Sequence, residues 1–263
     1  MMKVAACQME AGLGPVEERL AAIAGLADEA RAKGADIAVF PELATTGYGA
    51  GEAIRRQAET ADGPMLSRLV DIARETDIAI LVGLPLLDDG ALFNASAFVT
   101  PAGGVTLYRK IQLYGDYEKG LFARGCDLPP VVDYRGFRLG LLICFDVEFP
   151  ERVRGLARRG ADCVLVATAL PESPAGRFIA TSVMAVRAFE NQVFVVYANH
   201  AGSDAGFAYQ GLSCIAAPDG SLLAQASETA GGVIHADLDP GAYEASRRQN
   251  PYLAELEAAR VGT

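Results

Sequence analysis

The sequence predicts an α/β protein in which two related halves form one sandwich of sheets covered by helices. Three observations point there. Strand-like runs alternate with helical stretches, and the alternation occurs twice along the chain. The runs Asp36–Phe40, Leu139–Ile143 and Asp162–Ala167 are, after any leading aspartate, continuously apolar, as strands buried on both faces are. Of 263 residues 51% are hydrophobic, enough for a large core, and no linker-like or low-complexity break divides them. A single domain over 1–263 is expected, with a core to about residue 240 and a tail from 241.

Taken in order, Lys3–Gln8 reads as the first strand, with Cys7 as packing. Pro15 opens a helix to about Lys33 that carries Leu20, Ile23, Ala24 and Ala27 on one face, and Gly34 ends it. Asp36–Phe40 is a strand with Pro41-Glu42 at its carboxyl end. The small, glycine-rich Ala44–Gly51 follows, suited to a loop over a pocket but unlike a dinucleotide fingerprint. Helices are expected at about 53–60 and 64–76, the second with Asp62 as cap and Pro64 in its first turn. Ile78–Leu84, Leu92–Thr100 and Val105–Arg109 read as strands, the first two joined by the turn Asp88-Asp89-Gly90. A long loop then runs from Lys110 to about Pro130 and carries Lys110, Glu118 and Lys119; loops of this length are usually functional or disordered.

Val131–Tyr134 and Phe137–Cys144 form a hairpin across Arg135-Gly136. Phe149-Pro150-Glu151 opens a helix that ends at Gly160. After the strand Asp162–Ala167 come a helix from Arg177 to Asn191, a strand Val193–Ala198, and three strands at about 212–217, 221–226 and 232–238. A short helix follows Pro251.

The net charge of -10 argues against a nucleic-acid or anionic-membrane surface, both of which require clustered Lys and Arg. The five cysteines form no C-x-x-C pair, so neither a disulfide framework nor a zinc site is expected, and the pattern suits a reducing, cytoplasmic compartment. The two histidines, His200 and His235, lack metal-binding spacing. Val4-Ala5-Ala6-Cys7 lacks the preceding apolar stretch of a signal peptide, and no run of about 18 apolar residues could span a bilayer.

The chemistry centres on Cys144. It stands where a buried strand ends, the position at which open α/β sheets place their ligand crevices. The first N–H groups of the following turn have no helical partner and could receive an oxyanion. A thiol with a pKa of about 8.5 needs a base or a cation to become a nucleophile at neutral pH. One arrangement is papain-like, with His200 as the base; the alternative is a carboxylate beside a lysine. Glu42 in a poorly hydrated pocket would have its pKa raised and could shuttle the thiol proton, while Lys110 would hold positive charge beside an anionic intermediate. Cys7, Cys163 and Cys214 are assigned to packing, Cys126 to a loop, and His200 to a structural hydrogen bond rather than catalysis.

The motifs Phe40-Pro41-Glu42-Leu43, Tyr108-Arg109-Lys110-Ile111 and Leu142-Ile143-Cys144-Phe145-Asp146 occur in an order and spacing that resemble the carbon–nitrogen hydrolase (nitrilase) superfamily. The resemblance extends through Arg154–Asp162, Arg187–Asn191, Tyr197–His200 and Arg248–Tyr252, nearly the whole chain. It implies a four-layer αββα sandwich, with two subunits associating as an αββα–αββα homodimer or a higher homo-oligomer. It also implies Glu42 as general base, Lys110 as oxyanion stabiliser, Cys144 as nucleophile, and Glu118, eight positions after the lysine, as the residue that positions substrate or water. The Phe145 N–H would complete the oxyanion site. The loops Thr46–Gly51, with Tyr48, and Thr168–Pro174, with Thr168 and Ala169, would shape the substrate pocket. Nitrile-cleaving members follow the cysteine with Trp-Glu, whereas Phe145-Asp146 stands here, which favours amides or ureido groups over nitriles; Lys110–Gly115, Cys144–Glu151 and Tyr197–His200 look closest to amidases acting on small aliphatic or cyclic carboxamides. An N-carbamoyl amine hydrolase is the alternative; a nitrilase or a non-catalytic binding protein ranks lower. No metal or organic cofactor is implied.

Overall fold

The structure, a computed structural model, describes residues 1–259. The last four positions of the tail expected from residue 241 lie outside the described residues. The first half comprises β1 (Met2–Glu10), α1 (Val16–Ala32), β2 (Ile37–Val39), α2 (Glu52–Gln57), α3 (Pro64–Thr76), β3 (Ala79–Asp88), β4 (Ala91–Val99) and β5 (Val105–Arg109). Then come α4 (Gly115–Leu121), β6 (Val131–Tyr134), β7 (Phe137–Ile143), α5 (Pro150–Arg158), β8 (Cys163–Ala167), α6 (Pro174–Phe178), α7 (Met184–Asn191) and β9 (Phe194–Ala198). The chain continues through β10 (His200–Ser203), β11 (Ala208–Gln210), β12 (Cys214–Ala216), β13 (Leu222–Gln225), β14 (Gly232–Leu238), α8 (Glu244–Gln249) and α9 (Tyr252–Ala258).

Two sheets result. One has the order β11-β10-β1-β2-β3-β4-β5, with β14 antiparallel to β1; the other runs β13-β12-β9-β8-β7-β6. In each, three central strands are parallel (β1, β2, β3 and β7, β8, β9); β10 adds a short parallel pairing to the end of β1, and the remaining edge strands are antiparallel to their neighbours. The twofold alternation in the sequence thus becomes two similar sheets.

The period-2 alternation of strand side chains decides the layers. Val4 and Ala6 of β1 face Leu139, Leu141 and Ile143 of β7 in a core between the sheets. Ala5 and Cys7 face the other way, against Ile23 and Ala27 of α1 and Leu69 and Ile72 of α3. Leu142 likewise points out of the second sheet, toward Val153 and Leu156 of α5 and Met184 of α7. Each central strand is therefore covered on both faces, which is why it reads as a continuous apolar run. The layers are helix, sheet, sheet, helix, the αββα sandwich expected.

Several local expectations need correction. The stretch 110–130 is not all loop, because α4 lies within it; seven residues are too few to show a helical period. The sequence does not predict the strands β10 and β11; they are short and polar, and β10 exists by pairing with the end of β1 at Met9 and Glu10. Asp62 does not cap α3. It accepts a bond from the Thr60 hydroxyl, while the Glu59 carboxylate receives the Met65 N–H at 2.6 Å. The helix expected from Arg177 begins earlier, at Pro174, where the Ser173 hydroxyl caps the Gly176 N–H at 2.8 Å, and it widens into a π turn over Ile179–Val183 before α7.

Candidate active site

The carboxyl ends of β2, β5, β7 and β8 converge at one edge of the sandwich. Glu42 leaves β2 in a tight turn that is bonded to both sheets: its N–H donates to Thr168 O after β8 (3.2 Å), and the Gly83 N–H of β3 donates to Pro41 O (3.1 Å). Gly83 is required there. A Cβ would lie 2.4 Å from Leu43 N and 2.6 Å from Glu42 Cα, so only a residue without a side chain lets β3 approach the Glu42 backbone. Lys110 follows β5, and its N–H donates to Asn94 O on β4 at 2.8 Å.

Cys144 follows β7 as the first residue of a 3₁₀ turn over 144–148 and has φ +43°, a left-handed conformation costly for a non-glycine residue. Buried Asp146 holds that turn. Its carboxylate accepts bonds from the Tyr108 hydroxyl (2.8 Å), the Gln112 N–H (2.8 Å) and the Ile143 N–H (3.3 Å). Asp146 thereby ties the cysteine turn to the segment carrying Lys110. From the other side Arg187 of α7 donates to the carbonyls of Val147 (3.0 Å) and Glu148 (2.6 Å).

Glu42, Lys110 and Glu118 meet as a fully buried cluster. Lys110 Nζ lies 2.6 Å from Glu42 Oε1 and 2.7 Å from Glu118 Oε1. Asn94 Nδ2 donates to the same Glu42 oxygen at 2.6 Å. Glu118 Oε1 also accepts from the Tyr48 hydroxyl (2.9 Å) and its Oε2 from the Tyr114 N–H (2.9 Å). Glu42 Oε2, by contrast, is buried and has no hydrogen-bond partner among the described residues.

Burial raises the Glu42 carboxyl to about 7, and the Glu118 charge pushes the same way against the pull of Lys110. Burial by itself lowers the Lys110 pKa; the Glu42 and Glu118 carboxylates outweigh it and hold the ammonium's pKa above the ordinary value. Burial, with the Glu42 charge, holds Cys144 well above the ordinary thiol range, opposed by Lys110 and the Thr168 hydroxyl. At rest the sulfur is thus a thiol near a carboxylate that titrates close to neutral pH. The group can exchange a proton between sulfur and carboxylate while a fixed cation waits for negative charge.

A pocket of about 150 Å³ opens on Cys144, bounded by Tyr114, Glu148, Leu170, Pro171, Ser173 and the start of α6 up to Ile179. The 168–174 loop expected to shape the pocket does so through Leu170, Pro171 and Ser173. Thr168 and Ala169 are buried behind that wall, Thr168 bonded to the Tyr197 hydroxyl at 3.0 Å. Tyr48 backs Glu118 instead of the pocket, and the Phe145 ring packs edge-on between Tyr114 (5.2 Å) and Phe149 (5.0 Å). His200 is structural: its Nε2 bonds Glu42 O at 2.9 Å, and burial lowers its pKa to about 4, which keeps it neutral.

Asn94 and Asp146 escaped sequence reasoning as site residues. Asn94 carried a signal, a polar side chain in the middle of a strand whose neighbours are buried. Among the described residues no group of three or more His, Cys, Asp or Glu could hold a metal ion, and no helix is long and apolar enough to cross a membrane.

The αββα sandwich, with a cysteine turn beside a buried carboxylate–ammonium cluster, defines a class: hydrolases that attack carbon–nitrogen bonds through a thiol. The family model described as carbon-nitrogen hydrolase matches residues 3–248, and the chain belongs to that family, within the nitrilase superfamily. It is 41% identical over 226 residues to a Pseudomonas protegens protein called "Hydrolase in pqqF 5'region", covering 84% of this chain and 78% of that one. It is 37% identical over 222 residues to an (R)-stereoselective amidase of a Pseudomonas species, covering 84% and 79%. Among solved structures it resembles a cysteine-to-alanine mutant of the Nesterenkonia AN1 amidase, with a TM-score of 0.87, 33% identity, and coverage of 98% and 95%.

Proposed function

We propose that this protein is an amidase that hydrolyses a small carboxamide to a carboxylic acid and ammonia through a thioester on Cys144. The observation that carries the reading is the buried, unpartnered Glu42 Oε2 in a site where Lys110 already occupies Oε1. A carboxylate oxygen kept out of water with no partner costs stability, and its use is to take up a proton. The amidases among the similar proteins support the same chemistry.

In the first half-reaction Glu42 takes the Sγ proton and the thiolate attacks the amide carbon. The carbonyl oxygen becomes an oxyanion against Lys110 Nζ and the Phe145 N–H, contacts of a kind worth about 3–4 kcal/mol each in the transition state. The C–N bond breaks, protonated Glu42 gives its proton to the departing nitrogen, and ammonia leaves. In the second half-reaction Glu42 takes a proton from water, the hydroxide attacks the thioester, and the C–S bond breaks. The acid is released and the proton returns to sulfur. Glu118 keeps Lys110 charged and in place, so it acts through the cation.

A screen of ammonia release over a panel of small amides, with Cys144→Ala as control, tests this reading. Turnover of amides that is lost in the variant is expected. Turnover of nitriles alone, or release of carbon dioxide from ureido compounds alone, would overturn it in favour of a nitrilase or an N-carbamoyl amine hydrolase. We place the enzyme in a reducing, cytoplasmic setting, in keeping with five unpaired cysteines, and read the chain as one domain. Association as a homodimer belongs to the same proposal: Phe178 and Val186, on successive helices of one outer layer, are 61% and 49% exposed. Sedimentation of the full chain as a monomer would exclude it.

A further inference from the structure

The pocket over Cys144 contains one carboxylate that the proposed cycle does not use. Glu148 is the sole charged side chain on its wall; its neighbours there are Leu170, Pro171, Ala175, Gly176 and Ile179, with Tyr114 and Ser173 the other polar groups. Among the described residues its carboxylate has neither a hydrogen-bond donor nor an ion-pair partner, although it is half-buried. The nearby cations are committed elsewhere. Lys110 is held between Glu42 and Glu118. Arg187 spends its Nε and Nη2 on the carbonyls of Val147 and Glu148 itself, and its Nη1 on Glu190. These bonds also fix the Glu148 backbone, so the side chain projects from a rigid support four residues from the nucleophile.

We infer that Glu148 is a specificity-determining residue, whose carboxylate binds a protonated amine carried on the acyl part of the substrate. The inference rests on the amide-hydrolase reading and names the substrate class for it. A half-buried carboxylate with no cation of its own has lost hydration without compensation, and an ammonium group entering the pocket restores it. Burial raises this carboxyl to about 7 against the charges of Lys110 and Arg187, which pull it down without contacting it, so an entering ammonium would also favour its ionised form. The about 150 Å³ available suits a short aminoacyl chain. An anionic substrate would meet an uncompensated like charge, so the residue excludes as well as selects.

The test compares kcat/KM for glycinamide, 3-aminopropanamide and 4-aminobutanamide with the isosteric propanamide, butanamide and pentanamide, in which a methyl replaces the ammonium. In the wild-type enzyme at least one amine is preferred over its isostere. Glu148→Gln is expected to reduce that preference by about 10- to 100-fold, through KM for the amine, as loss of one charge-assisted contact implies. Glu148→Lys should turn the preference toward succinamate. A second measurement needs no turnover: labelling rates of Cys144 at the foot of the pocket, read by peptide mass spectrometry because the exposed Cys126 would react as well, with cationic and anionic methanethiosulfonates. Wild type should favour the ethylammonium reagent over the ethylsulfonate, and Glu148→Gln should cut that ratio at least about tenfold. Ratios unchanged in Glu148→Gln, or equal losses for amines and their isosteres, overturn the inference. If no amide is turned over, the amidase reading fails while the labelling ratio still decides the role of Glu148.

Discussion

Replacing Glu42 by glutamine tests the buried cluster most directly. The side chain keeps its shape and its Oε1 contacts with Lys110 and Asn94, while the cluster of one ammonium and two carboxylates goes from a net charge of -1 to neutral. Burial holds the Glu42 carboxyl at about 7 in the folded protein, against about 4.5 when exposed. Between those values the folded chain keeps a proton that the unfolded chain releases, so wild-type stability falls as pH rises through this window. The loss accumulates to roughly 3 kcal/mol by pH 7.5 and is absent near pH 4. Glutamine has no such dependence. Urea unfolding of both proteins at pH 4.5, 6 and 7.5 should therefore show the variant gaining on wild type with pH. In the same variant kcat/KM should drop by about 10²- to 10⁴-fold, the contribution of a positioned base. The wild-type rate should rise with pH through about 7, as Glu42 must be ionised to accept the thiol proton. Parallel stability profiles for the two proteins, or a variant keeping more than about a tenth of the activity, would refute the assignment of Glu42 as a buried base.

Two further substitutions probe how the site is held. Asp146→Ala leaves the Tyr108 hydroxyl and the N–H groups of Gln112 and Ile143 without their acceptor. It should cost about 3 kcal/mol in urea unfolding and lower kcat, since the cysteine turn and the Lys110 segment lose their tie. A change under about 0.5 kcal/mol would mean the network contributes nothing. Gly83→Ala drives a methyl into the backbone of Pro41, Glu42 and Leu43; a loss of about 1–3 kcal/mol is expected, with activity falling further than stability because Glu42 is displaced. Gly25→Ala, in open space on the solvent face of α1, is the control and should stabilise by up to about 1 kcal/mol in thermal unfolding.

The sequence was most legible where side chains repeat with a local period. Continuous apolar runs identified β2, β7 and β8 because these strands are covered on both faces, and Pro64 and Pro150 marked helix starts because proline suits the first turn. Lys110, Glu42 and Cys144 could be picked out because each follows a strand end and stands in a family motif. The α4 helix and the strands β10 and β11 were not legible: seven residues show no period, and short polar strands exist only through a distant partner.

What the chain alone determined, then, is the layered α/β architecture and which residue types can react. Tertiary structure decided how they act on one another. Asn94 lies 52 positions from the glutamate it bonds, and Lys110 lies 68 from the same oxygen. Tyr108 is 38 residues before Asp146, the residue it anchors. Such meetings depend on which strand ends the sheets bring together, and on how much water the fold then excludes. A one-dimensional pattern specifies neither, so the raised pKa of Glu42, its free oxygen and the unpaired carboxylate of Glu148 exist only in the folded molecule.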